Sequence, residues 1–404
     1  MIKRIPVEQL RLGMYVHSLN CDWTNHPFLR NRFRLEDEGQ IRRIREIGVS
    51  EIDIDTDLGR DVPNAFRVSE MAQPPSRSFD AAARQRPPAF HGTTLTEERA
   101  RARRILREAN RVAELIMEDA RLGRQLELDP ARELTSQTIA SIVRNQDALL
   151  GLNRIRSVDR YTFEHSINVS VLMVAFARSL GMERAVIEEI GLGALLHDVG
   201  KSRIPEAILN KPGALTDAEF EIMRLHVSYG QDILGQISGV PATALDVVLE
   251  HHERLDGSGY PLKKAGQSIS RFGQMAAIVD VYDALTTQRV YHSAMSPHEA
   301  LRNLLQWSPR QFDRTLVEQF IRCVGIYPIG TLVRLESERL AVVVETGREQ
   351  FLKPVVRLVF DINKRRRLMP QDIDLAKPTA YGQDRIIDAV DPADWGLRPE
   401  YLLR

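Results

Sequence analysis

The apolar positions of this chain change period along its length. Leu10, Leu12, Met14, Val16 and Leu19 alternate around Gly13, which predicts short strands. Ile41, Ile44 and Ile47 recur at helical spacing up to Gly48, and Val49, Ile52 and Ile54 return to a strand pattern. Residues 1–65 therefore read as a small α+β domain. Residues 66–94 lose periodicity and carry Pro74, Pro75, Pro87 and Pro88, the composition of an extended or disordered linker. Thr96, with Glu97, Glu98 and Arg99 behind it, is a helix start. Ile105, Ala109, Val112 and Ile116 follow as a narrow apolar seam, so residues 95–150 read as connecting amphipathic helices. Such a seam either packs on its own core or pairs two chains in a homodimer.

Beyond this, the segments 131–150, 158–180, 184–197, 217–234, 241–252, 272–287, 297–307 and 312–324 all carry helical periodicity or apolar runs of helical length. Asp217, Pro241 and Ser296-Pro297 stand where helices start. The runs Thr331–Leu335, Ala341–Val344 and Pro354–Phe360 are rich in β-branched residues, so residues 326–378 read as a β-rich extension. Residues 379–404 read as a tail over the surface. The expected fold is mainly α, with a helical domain over residues 151–325 between a small α+β domain and a small sheet.

Composition narrows the function classes. At 404 residues the chain is long enough for more than one folded unit. Formal net charge is zero, which excludes a general electrostatic pull toward nucleic acid or an anionic membrane. Cys21 and Cys323 lie far apart, which fits a reducing compartment better than a disulfide framework. The N-terminus has no apolar signal region and no run is long enough to span a bilayer, so a cytoplasmic location is expected. The arginines Arg30, Arg32, Arg34, Arg42, Arg43 and Arg45 read as a solvated face.

The helical domain concentrates nitrogen and oxygen donors. His165, His197, Asp198, His226, His251, His252 and Asp280 each sit on or beside an apolar helix. One buried histidine is more often a hydrogen-bonded core residue than a ligand. A buried aspartate needs a partner, and several imidazoles beside two aspartates suit a divalent transition metal. His17, His26, His91 and His298 fall outside this pattern and read as surface or structural residues.

The motifs His197-Asp198-Val199-Gly200-Lys201 and His251-His252-Glu253-Arg254-Leu255-Asp256-Gly257-Ser258-Gly259-Tyr260-Pro261 resemble the HD-GYP family of the HD phosphohydrolase superfamily. Asn210-Lys211-Pro212-Gly213-Ala214-Leu215-Thr216, His226 and Asp280-Val281-Tyr282-Asp283 match the same family. Residues 1–65 are similar to the small domain of unknown function that often precedes HD-GYP domains. The resemblance implies a bacterial second-messenger enzyme that hydrolyses cyclic di-GMP to linear pGpG, with GMP as a further product. It implies that His165, His197, Asp198 and Asp280 hold one metal, and that Asp198, His226, His251 and His252 hold a second. The ions it implies are iron or manganese, ahead of zinc, cobalt or nickel.

Three-metal members of the family carry a glutamate four residues before the first histidine, where this chain has Tyr161. Glu164, next to His165, points about 100° away on a helix. A two-metal site follows. Lys201, three residues after Asp198, is the candidate to neutralise a phosphate oxygen, and Arg289 matches a basic position that contacts the second phosphate. The family's proline and basic residue after it are Val290 and His292 here. Asp256, Gly257, Gly259, Tyr260 and Pro261 form a loop that shapes the substrate pocket or, by resemblance, contacts diguanylate cyclase domains. Tyr260 either stacks near the substrate or plugs the loop onto the core. The rivals are a phosphohydrolase of another nucleotide and a cyclic di-GMP or partner-binding protein without turnover.

Overall fold

The computed structural model describes residues 2–18, 33–46, 51–62, 66–67, 93–153, 161–213, 215–287, 294–347, 350–378 and 384–403. The chain divides into two compact units, the first centred on residues 1–81.

In the first unit β1 (Ile2–Pro6), β2 (Tyr15–Ser18), β3 (Phe33–Arg34), β4 (Glu51–Asp55) and β5 (Phe66–Arg67) form an antiparallel sheet in the order β3-β2-β4-β1-β5. Helix α1 (Glu38–Glu46) closes its core, with Ile41 and Ile44 buried among Ile5, Val16, Ile52 and Ile54. The alternation of Leu10 to Met14 makes no strand: a short 3-10 turn at Val7–Gln9 precedes it and only Tyr15–Ser18 enters the sheet. Arg4 pairs with Asp53 across β1 and β4 at 2.7 Å. Arg34, Arg42 and Arg45 are exposed, as a solvated face requires. Phe66-Arg67, read as linker, pairs with β1. The rest of the linker up to residue 92, together with Cys21, His26, Arg30, Arg32, His91 and the side chain of Arg43, lies outside the described residues.

The second unit is helical with a sheet appended. Helix α2 (Leu95–Arg121) starts at Thr94 rather than Thr96. Thr94 accepts from the Glu97 amide while the Glu97 carboxylate accepts from the Thr94 amide, a reciprocal cap that Thr96 cannot make from inside the first turn. The seam of α2 packs on its own chain: Ile105, Ala109, Val112 and Ile116 share one core with Leu192, Leu195, Leu196 and Val199. Then follow α3 (Asp129–Asn153), α4 (Tyr161–Ser179), α5 (Arg184–Leu196), α6 (Glu206–Leu209), α7 (Asp217–Arg224), α8 (His226–Gly235), α9 (Ala242–Glu250), α10 (Arg271–Thr286), α11 (Pro297–Trp307) and α12 (Arg314–Val324). Helix α3 kinks at Asn145, whose backbone leaves the helical region. Helix α10 is buried from Met275 through Thr286, which explains why its sequence is apolar all round.

The segment 217–234 is two helices rather than one. The ladder breaks at Leu225, whose amide turns to the Ile222 carbonyl, and the Met223 carbonyl beside the break accepts from His226 Nδ1. The break puts His226 at a helix start instead of inside a continuous rod.

Strands β6 (Leu332–Leu335), β7 (Arg339–Glu345), β8 (Val355–Asp361), β9 (Arg366–Asp374) and β10 (Ile386–Ala389) form an antiparallel sheet in the order β10-β6-β7-β8-β9. β10 comes from the stretch read as a surface tail, where the alternation is too short to announce a strand, spanning only Ile386 to Ala389. The sheet is tied to α3 where Thr346 donates its amide and hydroxyl to Asp147. A short helix, α13 (Pro399–Leu402), ends the described chain. Among the described residues no helix is long and apolar enough to cross a membrane. His298 is structural: it stacks on Tyr327 at 5.2 Å and bonds the Ile326 carbonyl.

Candidate metal centre

Three helix ends and two helix interiors meet in the second unit. Helix α4 presents His165, α5 ends at Leu196 with His197 and Asp198 beyond it, and α8 begins with His226. Helix α9 ends at Glu250 with His251 and His252 beyond it, and the buried helix α10 presents Asp280. After Asp198 the chain tightens into a 3-10 turn, Val199–Arg203. That turn reaches α8 because Gly200 has no side chain: a Cβ there would lie 1.9 Å from the His226 carbonyl oxygen.

The donors converge. His226, His251 and His252 each offer a ligand atom within 4.8 Å of the others; His165, His197 and Asp280 do the same, as do His197, Asp198 and His251. All of these side chains are buried. His165 Nε2 lies 3.0 Å from Asp280 Oδ1, and Asp198 sits between the groups, 3.3 Å from His197 Nε2 and 3.4 Å from His226 Nε2.

The imidazoles are oriented from behind. His197, His226 and His251 each bond through Nδ1 to the backbone carbonyl three residues earlier, those of Ala194, Met223 and Val248. A carbonyl only accepts, so each Nδ1 carries the proton and each Nε2 faces the cluster with its lone pair. His165 is oriented by a carboxylate instead, with Nδ1 2.7 Å from Asp283 Oδ2. Burial would lower its pKa, but Asp280 at Nε2 and Asp283 at Nδ1 raise it above the ordinary histidine value, so in this ring a cation at Nε2 would take the place of a proton.

The protonation states suit a cation. Burial pushes His251 and His252 well below the ordinary histidine value and brings His226 down to about 4, which keeps them neutral. Burial alone would raise Asp198 and Asp280. For Asp198 the electrostatic pull of the His197 ring and of Lys201 outweighs it, and for Asp280 the nearness of His165 Nε2 at 3.0 Å does, so both are held well below the usual carboxylate range. His197 Nε2, Asp198 Oδ1, His252 Nδ1 and Asp280 Oδ2 are nevertheless buried with no hydrogen-bond partner. Each such orphan costs about 1–3 kcal/mol. Orphaned nitrogens and oxygens within these overlapping donor groups, beside ionised carboxylates and neutral imidazoles, fit divalent transition metals.

Lys201 Nζ is 2.5 Å from Asp198 Oδ2, on the side that the spacing predicts. The loop after His252 is strapped down by Glu253, whose carboxylate accepts from the Leu262 and Lys264 amides at 2.8 and 3.0 Å. Tyr260 stacks on the His252 ring at 4.6 Å, and the Arg224 guanidinium lies 5.2 Å from the centre of the Tyr260 ring. Asp256 accepts from the Ser258 amide at 3.0 Å and from Arg310 at 3.1 Å, while Gly257 takes a positive φ of 77°. Gly259 is pressed against the His252 carbonyl, and Pro261 follows Tyr260 through a cis bond. Arg289, Val290, His292 and the side chain of Tyr161 lie outside the described residues.

Sequence reasoning passed over Asp283, Glu253 and Arg224. Asp283 carried a signal, since it follows Asp280 by one helical turn and faces the same side. Glu253 and Arg224 carried none, because their partners are backbone amides and an aromatic face.

Comparison with known proteins agrees with this geometry. A domain of unknown function, DUF3391, matches residues 2–131, and an HD domain matches residues 137–316. The chain is 40% identical over 400 residues to cyclic di-GMP phosphodiesterase PA4108 of Pseudomonas aeruginosa, covering 98% of this chain and 94% of that protein. This chain belongs to the HD-GYP phosphodiesterase family. Within the family it is also 34% identical over 212 residues to a cyclic di-GMP phosphodiesterase of Vibrio cholerae, covering 51% of this chain and 42% of that protein. It is 35% identical over 167 residues to the 3'3'-cGAMP-specific phosphodiesterase 2 of Vibrio cholerae, covering 41% of this chain and 32% of that protein. The HD-GYP motifs named from the sequence are the ones that build the centre: His197-Asp198 at the end of α5, and His251-His252 at the end of α9.

Proposed function

We propose that this chain is a metal-dependent phosphodiesterase that hydrolyses cyclic di-GMP to linear pGpG, in second-messenger signalling. The observation that carries the proposal is the convergence of ionised Asp198 and Asp280 with imidazoles turned into the same buried cluster, in a chain 40% identical to PA4108 over 98% of its length. His165, His197, Asp198 and Asp280 would hold one iron or manganese ion, and Asp198, His226, His251 and His252 would hold a second. When bound, such a pair supplies charge neutralisation at phosphorus and a nucleophilic water at neutral pH.

The chain's own residues do the rest. The carbonyls of Ala194, Met223 and Val248 and the Asp283 carboxylate fix the imidazoles so that no reorganisation is needed when substrate arrives. Lys201, held at Asp198, moves a positive charge onto a non-bridging phosphate oxygen. The stacked pair of Tyr260 and His252 forms one wall of the site, kept in register by Glu253. Arg289 contacts the second phosphate. In this reading residues 151–325 are catalytic, 1–67 are a regulatory or interaction module, 68–94 a linker, 95–150 connecting helices, and 326–404 a β-rich extension whose sheet includes the strand at Ile386–Ala389.

A second reading, hydrolysis of a different cyclic dinucleotide, is favoured by the likeness to the 3'3'-cGAMP-specific enzyme. The two separate in one assay. Protein purified with Mn²⁺ or Fe²⁺ under reducing conditions is offered cyclic di-GMP, 3'3'-cGAMP and cyclic di-AMP, with Asp198→Ala as control. The proposal expects the highest kcat/KM on cyclic di-GMP and no turnover by Asp198→Ala. Preference for 3'3'-cGAMP establishes the second reading, and absence of turnover on all three sinks both.

A further inference from the structure

Glu98, in the first turn of α2, has a fully buried side chain. A carboxylate survives burial only when paired, and both of its oxygens are taken. Arg144 Nε and Nη2 donate to it at 2.7 and 2.8 Å, Ser141 at 2.8 Å and Arg101 Nη1 at 3.2 Å. Glu98 thereby fixes two guanidiniums in place, and each keeps donors that Glu98 does not use. Neither arginine is itself buried: their side chains are 46% exposed for Arg101 and 34% for Arg144.

Both arginines line an open groove of about 470 Å³ between α2 and α3. Arg104, one turn after Arg101 and exposed, adds a third guanidinium to the same groove. Ile105 and Ala140 supply apolar lining. The carboxylate of Glu108 also reaches it but already accepts from Arg111 at 2.9 Å. Two guanidiniums therefore share one buried carboxylate, a third lines the groove beside them, and the excess charge is positive. Guanidiniums bind phosphate through paired N–H donors, and a pre-oriented pair loses little entropy in doing so. The volume is that of a small-molecule site.

We propose that the groove between α2 and α3 is a second ligand site, separate from the metal centre, for a small molecule that carries a dianionic phosphate on an apolar body. Arg101, Arg104 and Arg144 take the phosphate, and Ile105 and Ala140 take the body.

Phenyl phosphate has this chemistry and is the probe. It is titrated calorimetrically into the metal-loaded full chain and into Arg104→Gln, Arg104→Glu and Lys201→Gln variants. Arg104 lies on an exposed helix face, so both of its variants should melt at the wild-type temperature and hydrolyse the cyclic dinucleotide at the wild-type rate. The expected result is a binding event, additional to any at the metal centre, that weakens roughly tenfold in Arg104→Gln, as the loss of one charged contact requires, and disappears in Arg104→Glu. It persists in Lys201→Gln and weakens with added salt. No binding by the wild type, equal binding by Arg104→Glu, or loss of the event in Lys201→Gln would each overturn the proposal, the last by returning the ligand to the metal centre.

Discussion

Asp283 is the sharpest point at which to probe how the centre is held together. Its Oδ2 lies 2.7 Å from His165 Nδ1, and the two side chains are 2% and 4% exposed. Asp283→Ala removes the acceptor and frees the ring to turn or to change tautomer. A hydrogen bond to a charged group is worth about 1.5–3 kcal/mol, and each 1.36 kcal/mol is a factor of ten, so metal affinity should fall by roughly 10- to 150-fold. Asp283→Asn keeps a neutral acceptor of about half the strength, which gives a loss of roughly 3- to 10-fold. The assay is competition for Mn²⁺ or Fe²⁺ against a chelator of known affinity, with a thermal melt to show that each variant is folded. The effect should also run through His165: in a His165→Ala background, Asp283→Ala should add almost nothing. Wild-type affinity in Asp283→Ala, or the same loss in both backgrounds, would rule out this role for Asp283.

Other perturbations follow from the same geometry. Glu98 is held at about 2 by Arg144, Ser141 and Arg101 against the opposing effect of burial, below its ordinary 4.5. The pair thus contributes stability above pH 4.5 that is lost as pH falls from there toward 2. Glu98→Gln should cost about 2–3 kcal/mol at pH 7, on the low side for a broken buried pair because Arg101 and Arg144 are partly exposed and rehydrate. The gap in denaturation midpoint between variant and wild type should close across that acidic window, and a gap independent of pH would count against the assignment. Gly200→Ala sets a methyl 1.9 Å from the His226 carbonyl and 2.5 Å from the Gly230 amide, both backbone atoms that cannot swing aside. It should lower stability by about 1–3 kcal/mol or more and reduce metal content together, read by thermal melting and metal analysis. Tyr260→Phe preserves the stack on His252 and should bind metal as the wild type does, whereas Tyr260→Ala should weaken it by roughly 2- to 10-fold, the worth of an aromatic pair.

The helical unit was legible because its helices are long and strongly apolar: the run before His197 and the run around Asp280 announce buried helices with polar donors attached. The metal donors were legible because imidazoles and carboxylates gathered at the ends of apolar helices are costly to bury unless a cation or a hydrogen-bond partner meets them. What the pattern hid were features set by contacts across the chain. The break at Leu225 depends on a side-chain nitrogen of His226 taking the Met223 carbonyl, which hydrophobic spacing does not encode. The spacing puts Asp283 on the same side as Asp280, but the histidine it orients lies 118 positions away and is identified only when α4 and α10 are side by side. Thr94 outcompetes Thr96 as the cap because only Thr94 sits three residues before Glu97. β10 is too short to show alternation and exists because β6 offers it an edge.

Turnover of cyclic di-GMP by the buried His and Asp cluster requires that the cluster be loaded with metal. A reconstitution titration checks this: the purified chain is stripped of metal, Mn²⁺ or Fe²⁺ is added back in measured equivalents without oxygen, and pGpG formation is followed at each step. The stripped protein should show no turnover, and activity should climb until two ions per chain are bound. Full turnover by the stripped protein, or a fully reloaded protein that leaves cyclic di-GMP intact, would contradict the assignment.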